Sequence, residues 1–318
     1  MKRAFTLLEL VVVIVVLGII AMMSFNAIMN IYSNYFQTRT VNELETQTEI
    51  ALEQISKRLE HRIKPSVIAR KTDGDFLALN DSGVTLAQDY EILEFIPYAY
   101  EIFNDVISLD ANDHVIEQDG KAGRYSGYAD LAKSSPATGL ISPGSNFTTG
   151  VVETIKDLTC KDDTRNSKCV DFKNKDGGVV AIFSDVYYNV QSSFGYKGIS
   201  NLDIAKVGVK SIDGDTLEIS GFDGKQISEQ YHLAYTANAI VPEQSADPKD
   251  AANGVFDLNL YYDYRPWMGQ GYKNGEKATL AKNVTRFVFT EKNGVIVLKL
   301  CMRAKNSEIT ICKSKAVY

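Results

Sequence analysis

The stretch Met1-Lys2-Arg3-Ala4-Phe5-Thr6-Leu7-Leu8-Glu9, with the apolar run Leu10 to Met23 behind it, decides how this chain is organised. Phe5 to Met23 is 19 residues with one charge, Glu9. At about 1.5 Å per residue a helix of that length spans ~28 Å, one hydrocarbon thickness of a bilayer. Lys2 and Arg3 would hold the start of such a helix on the cytoplasmic side. A conventional secretory signal has its small-residue cleavage site after the apolar stretch. Here the small residue, Ala4, stands before it, and no A-x-A pattern closes the run. A carboxylate at bilayer depth is costly, so Glu9 marks function by default, through protonation or an opposite charge supplied by a partner. The plainer reading is that Glu9 snorkels to the headgroups near a helix end.

The helical pattern continues past the apolar run. Val41, Leu44, Thr48, Ala51, Leu52, Ile55, Leu59 and Ile63 fall on one stripe at helical spacing, with Glu43, Glu45, Glu49, Glu53, Lys57, Arg58 and Glu60 between them. Glu53 and Lys57 form a favourable i,i+4 pair. No Pro or Gly interrupts Ile19 to Lys64, and Pro65 is expected to end the helix. Phe5 to Lys64 predicts one rod of ~90 Å. Its first half, 5–29, suits lipid or a filament core, and its second half, 30–65, is an amphipathic continuation. A coiled-coil stalk is the alternative. The stripe covers only about three heptads and contains Thr48, which favours packing on the chain's own sheet.

The string Lys2 to Val11 resembles the class III signal of type IV pilins and type II secretion pseudopilins. The resemblance is strong over residues 2–30. It implies cleavage by a prepilin peptidase between Ala4 and Phe5, which makes 1–4 a leader peptide and Phe5 an N-methylated terminus. It also implies that Glu9 meets the Phe5 amine of a neighbouring subunit during filament assembly. The family usually has Gly before the cut, where this chain has Ala4. Many major pilins carry a Pro in the membrane stretch, and this chain has none before Pro65. The fold implied is α+β, a long N-terminal helix packed on a β-rich head.

Residues 66–318 suffice for a substantial head with insertions. Short apolar or alternating runs predict strands at Ile92–Ile96, Val179–Val190, Val207–Val209, Thr216–Ile219, Tyr231–Val241, Phe256–Tyr264, Val284–Thr290, Val295–Met302 and Glu308–Cys312. Asp213-Gly214-Asp215, Asp223-Gly224, Asn274-Gly275 and Asn293-Gly294 supply turns, and the last predicts a hairpin within a C-terminal meander. Stretches 111–178 and 242–254 read as loop insertions. The 17 tyrosines fit half-buried strands better than a recognition surface. The segment Tyr261 to Tyr272, which holds the single Trp267, fits an exposed contact loop and a packed aromatic equally well.

Behind a membrane anchor, in an oxidising compartment, Cys160, Cys169, Cys301 and Cys312 point to disulfides. Three pairings exist. The sequential one, Cys160–Cys169 and Cys301–Cys312, closes two short loops and is preferred, at ~2–3 kcal/mol each. A four-thiolate zinc site is disfavoured because the spacings exceed the usual knuckles. Other chemistry is thin. His61, His114 and His232 stand in unrelated contexts, and no H-E-x-x-H, G-x-S-x-G or phosphate-binding loop is present. Asp162-Asp163 and Asp213-Gly214-Asp215 lack the EF-hand pattern. The net charge of −6, with no basic patch carrying interleaved aromatics, gives no nucleic-acid surface. No metal or cofactor is implied, and no catalytic constellation is expected.

Two classes of function compete. One is a large minor pilin or minor pseudopilin, at a filament tip or in its initiation. The partners implied are prepilin peptidase, other subunits, the membrane and an inner-membrane assembly platform. The chain would be a single-pass protein of the bacterial inner membrane with its C-terminal head in the periplasm, or in a filament at the cell surface. The other is a periplasmic adhesin, binding protein or enzyme held by an ordinary signal anchor.

Overall fold

The computed structural model describes residues 7–86, 89–103, 125–148, 151–160, 169–210, 214–305 and 307–318. The leader, the cleavage pair Ala4 and Phe5, His114, and residues 111–124, 149–150 and 161–168 of the loop-rich stretch lie outside them. The architecture is α+β. Helix α1 (Leu7–Glu60) runs unbroken for 54 residues, ~80 Å at ideal rise. Lys57 and Arg58 in its last turn oppose the negative end of the helix dipole. The helix stops before Pro65 is reached, because the following residues find better partners elsewhere. Ile63 donates its N–H to the Ile96 carbonyl at 2.8 Å and Arg62 bridges to Pro97. Pro65 then lies in a 3-10 turn, Lys64–Ser66.

The head holds two antiparallel sheets. The chain order is β1 (Ile68–Arg70), β2 (Phe76–Ala78), α2 (Ser82–Leu86), β3 (Ile92–Phe95), β4 (Leu140–Ile141), α3 (Val151–Thr159), β5 (Val180–Phe183), β6 (Ala205–Val209), β7 (Thr216–Ser220) and β8 (Tyr231–Ala234). It continues with β9 (Ala237–Gln244), α4 (Pro248–Ala252), β10 (Phe256–Tyr264), β11 (Glu276–Lys292), β12 (Val295–Arg303) and β13 (Thr310–Val317). The larger sheet is ordered β13-β12-β11-β10-β9-β3-β1-β2 and the smaller β4-β7-β6-β5-β8. β3 pairs directly with β9, Leu93 opposite Ile240, so the whole smaller sheet is inserted between two neighbouring strands of the larger one.

Three apolar layers follow from strand alternation. Leu44, Leu52, Ile55 and Leu59 of α1 meet Leu93, Leu258, Leu298 and Leu300 on one face of the larger sheet. Ile92, Ala239 and Tyr264 on its other face meet Val180, Ile182 and Ala234 of the smaller sheet. The opposite face of the smaller sheet, with Ala181, Phe183 and Leu233, packs on Val151, Val152 and Ile155 of α3.

Two stretches read as loops in the sequence contain more structure than that. The described part of 111–178 includes β4, α3 and the fully buried Phe147 and Phe172. A two-residue strand and a nine-residue helix are too short to impose a readable period. β9 runs on through Pro242 to Gln244. By Pro242 it has passed the end of β3, so the missing N–H costs no ladder bond on that side.

Candidate functional site: the N-terminal helix and its seat on the head

From Leu7 to Arg39 every residue of α1 is exposed, Leu7 at 83% and Ile14 at 60%. Its most apolar 18-residue window has a mean hydropathy of 2.8, and among the described residues none buries any of it. A cylinder that is apolar all round is stable only inside lipid or among other apolar helices. Glu9 lies in the first turn of the described helix, where the N-terminal end of the dipole favours a carboxylate. Beyond the apolar run, Tyr32 and Phe36 meet edge to face at 4.6 Å, and Tyr35 adds a third ring 6.0 Å from Phe36. Amphipathic rings at that point mark the level where a bilayer gives way to water. The Tyr32, Tyr35, Phe36 spacing was readable in the sequence and carries information that hydropathy alone misses.

From Leu44 onward the helix is seated on β11, β12 and β13. The predicted stripe is buried from Leu44 to Leu59. Thr48, polar within it, is satisfied by donating to the Leu44 carbonyl at 2.7 Å, so its burial leaves no orphan hydroxyl. Two lysines on alternate residues of β13 reach up to the helix. Lys313 pairs with Glu49 at 2.6 Å and Glu45 at 3.1 Å, and Lys315 pairs with Glu53. Hydrogen bonds that Lys313 donates to Glu49 and Glu45 hold it above the usual lysine range, and the bond that Lys315 donates to Glu53 holds that carboxyl below the usual carboxylate range.

Arg62 locks the end of the seat. Its guanidinium donates to the carbonyls of Leu59 at 2.8 Å, Gly294 at 2.9 Å and Tyr318 at 3.1 Å. One side chain thus ties the last turn of α1 to the β11–β12 turn and to the final residue. No local pattern of residues points to this lock, because two of its three partners lie 232 and 256 residues away.

The structure joins Cys301 to Cys312 and Cys160 to Cys169. Cys301 and Cys312 stand opposite each other in the β12–β13 ladder, so the bond fastens edge strand β13, which carries the two lysines, to its neighbour. Cys160–Cys169 links the residue after α3 to the loop that leads into β5. Trp267 is fully buried and donates its indole N–H to the Gly178 carbonyl at 3.0 Å, so the aromatic is packed, while Met268, Gly269 and Gly271 beside it stay exposed. His61 accepts or donates at Tyr98 Oη, 3.1 Å away, and stacks on Tyr100, while His232 lies in β8. Among the described residues, no three His, Cys, Asp or Glu side chains gather as a metal-ligating group. Asp162, Asp163 and Asp213 fall outside those residues.

Comparison with known proteins bears on the same end of the molecule. Residues 1–25 match the family model of the prokaryotic N-terminal methylation motif. No curated protein and no solved structure matches the chain. The exposed apolar helix of this membrane-anchor type thus begins with the prokaryotic N-terminal methylation motif, the prepilin-type signal.

Proposed function

We propose that the chain is a minor pilin or minor pseudopilin, a non-enzymatic subunit of a type IV pilus or a type II secretion pseudopilus, acting at the tip or in initiation. The observation that carries this reading is the methylation motif at 1–25 running directly into an apolar helix that the rest of the described residues leave exposed. The size of the head, residues 66–318, supports a minor role, since the large members of the resembled family are typically minor subunits. In this reading the precursor enters the inner membrane with Lys2 and Arg3 inside and the head in the periplasm. Prepilin peptidase cuts after Ala4 and Phe5 is methylated. An assembly platform then draws the helix from the bilayer into a bundle, where Glu9 meets the Phe5 amine of a neighbour. A fixed charge pair in a low-dielectric bundle favours one axial stagger over all others.

Glu9→Leu tests the role of the carboxylate. The head should fold as before, because Glu9 lies in the exposed part of α1, Leu7 to Arg39, well before its core residues begin at Leu44, while recovery of the variant with its filament partners should fall sharply. Normal co-purification of Glu9→Leu with those partners would sink this role.

A further inference from the structure

The β1–β2 turn, the loop ahead of β6 and the β10–β11 connection enclose a cleft of about 460 Å³, within the ~300–1,000 Å³ typical of small-ligand sites. Its least exposed polar lining is the ion pair of Arg70 and Glu94, 2.7 Å apart. Tyr264 Oη donates to the second Glu94 oxygen at 2.8 Å, and Arg70 also donates to the Gly74 carbonyl at 2.9 Å. These bonds fix the interior of the cleft and cancel its charge there. The lining also includes Lys71, Lys197 and Lys273 and one further carboxylate, Asp73; Lys71 pairs with Asp89 at 3.7 Å, which leaves Lys197 and Lys273 as the cations of the mouth. That positive excess sits on a chain of net charge −6, so overall composition does not explain it.

The walls add two further kinds of chemistry. Gln270 turns its amide oxygen to the Arg265 N–H and Asn274 turns its own to the Gly271 N–H, each at 2.9 Å, which leaves both NH₂ groups as the donating ends. Tyr196 and Tyr272 supply aromatic surface. Glycines keep the space open. At Gly195 a Cβ would stand 2.5 Å from the Pro266 carbonyl oxygen, so the close approach of two walls requires glycine there.

We propose that this cleft binds an acidic saccharide, a sugar unit bearing a carboxylate. Ammonium groups of Lys197 and Lys273 meet the carboxylate. The amide NH₂ groups meet ring hydroxyls, and a tyrosine face takes the apolar C–H face of the pyranose. This assignment goes beyond filament assembly and stands apart from it, since the cleft lies on the head and not on the exposed helix.

The test is titration of the full-length protein in detergent micelles with fluorescent trigalacturonic acid, followed by anisotropy. Neutral trigalactose and inorganic phosphate are titrated in parallel. Two variants are compared. Lys197→Glu with Lys273→Glu changes exposed side chains, and Gly198→Trp fills the cleft from a position where a Cβ meets nothing within 4 Å. The expected result is saturable binding of the uronate, weakened about tenfold or more by the double charge reversal, weakened by added salt, and lost in Gly198→Trp. Absence of uronate binding by the unaltered protein would overturn the proposal, as would equal affinity for trigalactose. Equal affinity for inorganic phosphate would reduce the cleft to a simple anion site and overturn the saccharide assignment. Unchanged uronate affinity in both variants, with circular dichroism confirming their fold, would place the binding elsewhere and overturn it too.

Discussion

His232 shows how a single half-buried ring makes the head sensitive to acid. Its imidazole lies beside Tyr98, ring centroids 5.0 Å apart, and its Nδ1 has no hydrogen-bond partner among the described residues. Burial holds the ring below the ordinary histidine range. The folded state therefore prefers the neutral ring. The stability this contributes is complete above the unfolded value of about 6.5 and is lost as pH falls through the lower folded value. Glu94, Glu101 and Glu291 are raised by burial and act with the opposite sign, but they are common to both proteins in a comparison. His232→Gln should thus lose less stability than the unaltered protein between pH 7 and pH 5, as read from melting temperatures. Parallel melting curves across that range would contradict this account of His232. At the residue scale the sequence was most informative for Glu9 and the cysteines, whose meaning comes from chemistry and context. It was silent on Arg62 and the Arg70–Glu94–Tyr264 group, because each joins residues far apart in the chain.

Among the elements, α1 was the most legible. Its buried stripe, Leu44 to Leu59, falls where the helical period puts it. The end of the helix was less so, since a tertiary bond from Ile63 to Ile96 outweighs the local signal at Pro65. Turn dipeptides divided in the same way. Asn293-Gly294 forms the β11–β12 hairpin with both residues at positive φ, 55° and 78°, as a type I′ turn requires. Asn274-Gly275 does not. Gly275 closes a 3-10 turn, and a Cβ there would lie 2.4 Å from the Tyr262 carbonyl oxygen. Arg62 makes the junction between α1 and the sheet testable. Arg62→Ala removes the guanidinium from the Leu59, Gly294 and Tyr318 carbonyls, of which Leu59 keeps the backbone N–H of residue 62, and should cost about 1–3 kcal/mol in denaturant unfolding. Arg62→Lys should recover only part of that, because an ammonium cannot fork across the three acceptors. A loss below about 0.5 kcal/mol for Arg62→Ala, the usual range of a surface change, would show that the lock contributes little.

Across the whole molecule the division of labour is sharp. The head contributes two sheets and three apolar layers, and the first half of α1 takes no part in any of them. A chain starting at Thr40 should therefore be a soluble, folded head. A chain starting at Ile63 should fail to fold stably, because it lacks Leu44, Ala51, Leu52, Ile55 and Leu59 and so exposes one face of the larger sheet. Analytical ultracentrifugation and melting curves of the two would check this. Aggregation of the Thr40 chain would mean that the exposed half of the helix supports the head after all. The α+β class and the helix-on-sheet seat were legible because long, strongly periodic segments dominate them. Strands β5 to β8 of the inserted sheet overlap runs the sequence marks as strands, but β4, with two residues, and the grouping of these strands into a second sheet were not legible, since that grouping depends on β3 pairing with β9 across more than 100 positions.

The central claim is that the N-terminus is processed as a filament subunit. Intact-mass and N-terminal peptide analysis of the membrane-bound protein, with and without prepilin peptidase, tests it most directly. The account predicts a chain that begins at methylated Phe5 only when the peptidase is present. A chain beginning at Met1 in both samples, or at any residue beyond Ser24, would contradict it.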